Sequence, residues 1–586
     1  MTTRRAVLQL LTLGTAAVSS RGLPAQPEPV GNEPLSSERD PRLGRRLSLA
    51  SEGIPLARVL EALSAETGVT LRFAGRAGDE RLVAFVPQAT LAEVLSSIAE
   101  LYRCEWVRVG GDRPSYRLQK PPLRERDEAR LRHRALEEIV ATLGRVLRNP
   151  RDAEGLRFKP REQWLPLYPE LAPILLTRGA ELVRVGFLYL PMAELPEPMR
   201  GSVLGKLAPI LKDQDAQRDR AILELQDMQR QMGAPPEGLP DLKPPTVPEE
   251  CLLTLDLSVD AEPRAQMGLR SPEGTWYNWL HVTGDDLRDE ALELYRERRP
   301  RVPEVAGGVA NAPPDGADPF GRPVEIAPPA GAPAKDWIGT LRRLSDAAGI
   351  AIYTDCYHYF QHNLPGPPRG GLATRGRGTA EQILDGLCHP QASAGTQKLL
   401  PNSFWWRRGD AAFVRSFRWL WEAETVLPDA LLRRAADAVR KTGTLDPESL
   451  PELAALHAFQ VHSVGQVAQH LDQWQLGIQL PARLSLPARR MLLSGGITWE
   501  RLSPADQLLL TPFLAPAPPG QPPNANAKIT TEVTSAPEQG GVVLRVSYWP
   551  VGVRYGRSLN LPLPGVGPAP GLEPRGLEVR LLDAAN

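Results

Sequence analysis

Cysteine is scarce in this chain. Cys104, Cys251, Cys356 and Cys388 are the only four in 586 residues, and no two of them form a C-x-x-C pair. H-E-x-x-H is also missing, so two common zinc-site signatures are absent. Four thiols in an oxidising compartment can pair fully in three ways, and sequence does not choose among them. There is no surplus of charge: Lys plus Arg number 69, and so do Asp plus Glu. That balance gives no drive toward nucleic acid or an anionic membrane. No G-x-S-x-G elbow is present. RGGLATRGRG (Arg369 to Gly378) lacks the lysine and Ser or Thr of a P-loop and reads as a solvated loop.

Long apolar runs are lacking too. The one candidate, AVLQLLTLGTAAV (Ala6 to Val18), follows a basic start at Met1 to Arg5. It is shorter than the roughly 20 residues a spanning helix needs. Leu23-Pro24-Ala25 then offers a cleavage point before Gln26. Residues 1–25 therefore read as a signal peptide. TRRAVLQ resembles a twin-arginine export signal, but it has Val7 where an aromatic is usual and Gln9 where Lys is common. General secretory export is the other route. Either one implies a periplasmic or extracellular protein that does not span the membrane once the signal is removed.

Proline (60) and glycine (50) are plentiful, so many linkers are expected among three to five domains. Residues 45–119 carry a compact pattern. Leu47 and Leu49 alternate as in a strand. Pro55 then suits a first helical turn. Leu56, Val59, Leu60 and Leu63 form one helix face, which Gly68 ends. Val69, Leu71 and Phe73 suggest a strand, and Val83 and Phe85 another. Thr90 to Glu93 is a capping box, with Leu91, Val94, Leu95, Ile98 and Leu101 inward behind it. Trp106 to Gln119 reads as a hairpin. The order is β-α-β-β-α-β.

IPLARVLEALSAETGVTLRF and ATLAEVLSSIAELY resemble the short N-terminal (STN) domain of secretins and TonB-dependent receptors. The resemblance covers about 75 of the 586 residues and rests on a core pattern. It implies a small α+β domain that contacts partner proteins in the envelope, and no catalysis. The pattern recurs over residues 335–418, led by the strand signal Val324 and Ile326. Trp337, Leu341 and Leu344 repeat the helix face, Gly349 stands for Gly68, and Thr379 to Gln382 repeats the capping box. The fold class expected is α+β, with two STN-like domains, each followed by a helical region and an antiparallel β segment. The boundaries are 45–119, helical 123–232, β segment and helix 251–299, linker 300–334, second domain 335–418, helical 421–515, and β segment 528–582. Ile222, Leu225, Met228 and Met232 fit a core-facing helix stripe.

Thr354 to His362 reads TDCYHYFQH, and Cys388-His389 follows. Cys356, His358, His362, Cys388 and His389 together supply enough atoms for a zinc site. A Cys356–Cys388 disulfide, or separate structural side chains, explain the same residues. His457, His462 and His470 are spaced by five and eight, which is no single helix face. Aromatics are only 6% of the chain but cluster, as at Phe404-Trp405-Trp406. Consecutive strand residues point both ways, so Trp405 and Trp406 are candidates either for interdomain packing or for a partner surface. The leading expectation is a non-enzymatic, cofactor-free binding or scaffold protein with a protein or peptide partner in the envelope. A secreted metal-dependent enzyme using zinc and a secretin-like assembly component are the alternatives.

Overall fold

A computed structural model of the chain describes residues 35, 37–110, 113–149, 162–192, 195–232, 245–259, 263–270, 276–284, 287–300, 318–326, 337–355, 376–388, 403–456, 460, 478–510, 528–536, 541–549, 557–561 and 577–582. The protein is α+β. Its first module runs β1 (Arg46–Pro55), α1 (Leu56–Thr67), β2 (Leu71–Phe73), β3 (Arg81–Thr90), α2 (Leu91–Leu101), β4 (Glu105–Val109) and β5 (Ser115–Gln119). β1 pairs antiparallel with β3, β2 is parallel to β5, and β4 is antiparallel to β5. The expected face of α1 is buried, and Gly68 closes the helix at φ 68°. Strand β1 runs up to Pro55, which serves as N-cap rather than first-turn residue. Thr90 and Glu93 exchange side-chain and backbone hydrogen bonds in a capping box at the start of α2.

The middle of the chain contains α3 (Pro122–Arg148), α4 (Tyr168–Val185), β6 (Phe187–Pro191), α5 (Glu197–Gln231), β7 (Leu252–Val259), β8 (Pro263–Arg270), β9 (Trp276–Thr283) and α6 (Arg288–Leu294). The strands form one antiparallel sheet in the order β6-β7-β8-β9. β6 interrupts a stretch expected to be helical. Gly186 ends α4 at φ 82°, and FLYLP then pairs with β7. The stripe assigned to a core on α5 faces outward: Leu225, Met228 and Met232 are 39%, 50% and 70% exposed. Spacing alone could not show that, among the described residues, no element packs on that end of the helix.

The second module runs β10 (Pro323–Ile326), α7 (Trp337–Ala348), β11 (Ala351–Asp355), β12 (Gly376–Thr379), α8 (Ala380–Cys388), β13 (Ser403–Arg408) and β14 (Ala411–Ser416). Its pairings match the first: β10 antiparallel to β12, β11 parallel to β14, β13 antiparallel to β14. Gly349 has φ 70°, as Gly68 does. The Thr379 N–H donates to Gln382 Oε1 at 3.0 Å, and the Gln382 N–H donates to Thr379 Oγ1 at 3.2 Å. Then come α9 (Trp419–Glu422), α10 (Asp429–Thr442), α11 (Leu450–Ala454), α12 (Leu480–Arg483), α13 (Leu486–Leu493), β15 (Ile497–Thr498), α14 (Pro504–Leu510), β16 (Lys528–Ala536), β17 (Gly541–Trp549), β18 (Arg557–Leu561) and β19 (Leu577–Leu581). β15 to β18 make a sheet in sequence order.

The two modules share a sheet. Its order is β13-β14-β11-β3-β1-β19, so β11 of the second module lies antiparallel on β3 of the first, with Ile352 opposite Phe85. β3 is a nearly continuous apolar run because both of its faces are covered. Leu82, Ala84 and Val86 point into the larger core. Val83 and Phe85 point into a second core with Trp337, Leu341, Leu344 and Ile352. At the opposite edge, β19 lies antiparallel on β1, with Leu47 opposite Leu581 and Ser51 opposite Leu577. Among the described residues, no helix is long and apolar enough to cross a membrane.

Candidate functional site

Of the proposed zinc ligands, Cys356, His358, His362 and His389 lie outside the described residues, as do His457, His462 and His470. Cys388 ends α8 as a wholly buried free thiol, and burial raises its pKa. Among the described residues, no three His, Cys, Asp or Glu side chains are grouped to hold a metal ion.

Neither Trp405 nor Trp406 is exposed: the relative exposure of each is 1%. Trp405 points to one side of β13, and its Nε1 donates to Asp385 Oδ1 at 2.8 Å. Trp406 points to the other side, and its Nε1 donates to Glu100 Oε1 at 2.9 Å. The alternation of a strand between two covered faces consumes both rings. A partner could not reach either one without opening the core. Trp419 and Trp421 are equally buried.

What the Trp406 ring reaches is more informative. Glu100, near the end of α2, has a 2% exposed carboxylate side chain. Besides Trp406, it pairs with Arg408 from the end of β13 and lies 3.5 Å from Arg298 Nε. Around it opens a cleft of about 1230 Å³ between α2 and β4, the segment after α6, and the tip of β13. Six arginines line it: Arg103, Arg124, Arg296, Arg298, Arg299 and Arg408. Trp106 and Tyr295 supply apolar wall, as does Cys104, whose thiol burial pushes up to about 12. Two of the arginines hold an uncommon backbone, Arg103 at φ 55° and Arg299 at φ 52°. Each follows a helical turn, where glycine is the usual occupant of the left-handed position.

Tyr295 connects this cleft to a buried ionic cluster. Its hydroxyl donates to the Leu101 carbonyl at 2.7 Å and accepts from Arg415. Arg415 on β14 and Asp355 at the end of β11 are both 0% exposed, with Arg415 Nε 3.2 Å from Asp355 Oδ2. The guanidinium stacks over Trp419 at 4.0 Å. Such a charge pair survives out of water because each member is partnered. Nearby Glu422 is buried. Desolvation raises its pKa well above the usual carboxylate range, against the pull of Arg418. The cluster fixes Tyr295 and so shapes one wall of the cleft.

The second feature is the β1 edge. β19 docks there by five residue pairs, and the Leu582 N–H extends the ladder to the Arg46 carbonyl at 2.9 Å. Leu577 and Val579 pack against the core from partly exposed positions, while Leu581 remains 40% exposed. Five pairs at a sheet margin are a slender attachment for a segment so distant in sequence.

No family model, curated protein or solved structure matches the chain. The site residues were not singled out by motif. Their one local signal was YRERRPR (Tyr295 to Arg301), an arginine-dense run in a charge-balanced chain. Glu100, Arg408 and Arg415 gave none, because the chain brings them together only through the shared sheet.

Proposed function

We propose that this chain is a non-enzymatic binding or scaffold protein of the cell envelope, built on two STN-like modules, that holds a protein or peptide partner by strand addition. The reading is supported above all by β19 on the margin of β1. That margin accepts an extended segment whose aliphatic residues alternate with Glu578 and Arg580. Main-chain hydrogen bonds would give such a complex affinity, and alternate side chains would give it specificity. In this reading β19 is the internal occupant and the partner's strand replaces it. In this reading the export signal expected from residues 1–25 would put the encounter outside the cytoplasm.

The test removes residues 577–581 and adds a labelled peptide, RGLEVRLLDA (Arg575 to Ala584). The shortened chain binds it, and the same peptide with Arg580→Pro does not bind, because in this register the N–H of residue 580, like that of Leu582, faces β1. The full chain binds about 10²–10³-fold more weakly, because its own strand competes at an effective concentration in the millimolar range. A shortened chain that keeps its circular dichroism spectrum and ignores the peptide would refute strand exchange at β1.

A further inference from the structure

The cleft carries an inference independent of the strand site. We propose that it binds the carboxylates of an acidic peptide segment. Its basic side chains are all arginine, six against four glutamates, in a chain whose overall charge is balanced. Arginine presents a planar fork suited to carboxylates. Arg298 and Arg408 already converge on one carboxylate, that of Glu100. The cleft therefore displays its chosen chemistry on an internal group while Arg296 and Arg299 remain exposed at the rim.

Backbone cost points the same way. Arg103 and Arg299 take left-handed conformations that glycine would adopt without penalty. Strain of this kind in a non-glycine residue is commonly kept where it serves a site. Size narrows the ligand. At about 1230 Å³, the cleft exceeds the ~300–1,000 Å³ of small-molecule pockets, so several residues of an extended chain fit.

The experiment uses the full chain and a fluorescein-labelled octamer of glutamate, followed by anisotropy at low salt. Binding is expected and should weaken as salt rises. Arg298→Glu should weaken it at least tenfold. Arg299→Gly should also weaken it severalfold while leaving the melting temperature unchanged or higher, since glycine relieves the backbone. Arg230→Glu, on the exposed end of α5, should change nothing. Absence of binding at low salt overturns the proposal. So does equal weakening by Arg230→Glu, or tighter binding of an oligonucleotide of the same length. The octamer has no aliphatic alternation, so its failure leaves strand exchange at β1 untouched, and the reverse holds too.

Discussion

Arg415 and Asp355 sit wholly out of water, where an isolated charge costs several kcal/mol and a partnered one is tolerated. The asymmetry makes a sharp expectation. Arg415→Met leaves Asp355 buried without its cation and should cost about 3–5 kcal/mol in urea unfolding. Combining it with Asp355→Leu should recover most of that loss. If the double variant is as unstable as the single one, packing against Trp419 rather than charge sets the cost. No residue pattern announced this pair: Arg415 lies within an alternating strand and Asp355 at the end of another. Their meeting depends on β11 lying parallel to β14, a long-range fact that local chemistry does not encode. Local signals fared better. Gly68 and Gly349 mark left-handed helix ends, and Thr90 and Thr379 mark helix starts, because each does its work within four residues.

At the scale of elements, β3 is the decisive strand. An alternation read from Val83 and Phe85 alone describes half of it. The full run Leu82–Val86 is buried, and such a run marks a strand covered on both sides. Turn residues and helix faces marked the helices and most strands of the first module, and the helices of the second; β12 (Gly376–Thr379) was not singled out, because GRGT carries no apolar alternation. The fusion of the modules through β3 and β11 was not legible, since pairing between distant edges leaves no periodic trace. β6 was missed for a related reason: five residues between two helices are too few to display a period. Phe85 gives the measurable consequence. It is 3% exposed within the second core, though its backbone belongs to the first module. Phe85→Ala should destabilise by about 3–5 kcal/mol, and the loss should appear in probes placed in the second module. A change confined to the first module would mean that the shared strand transmits nothing.

For the whole molecule, a sheet that runs from β13 to β19 ties residues from opposite ends of the chain into one unit. Backbone amides of β3 and β11 should therefore exchange hydrogen with a common opening free energy. Rates implying separate openings, with β11 protected more than tenfold less than β3, would show two bodies that merely touch. The arginine cleft depends on the same unity, since its walls come from the first module, the segment after α6 and the tip of β13.

The position of β19 also sets a schedule. At about 5–20 residues per second, the roughly 530 residues between Leu47 and its partner Leu581 take about half a minute to two minutes to make. Throughout that interval the nascent first module carries an open margin on β1, and until Asp355 is made β3 also waits for β11. Bare margins of this kind invite mispairing between neighbouring chains on one message. The protein thus has a window of vulnerability written into its connectivity. It closes only when the ribosome delivers a strand of five residues, and chaperone demand should fall sharply at that moment.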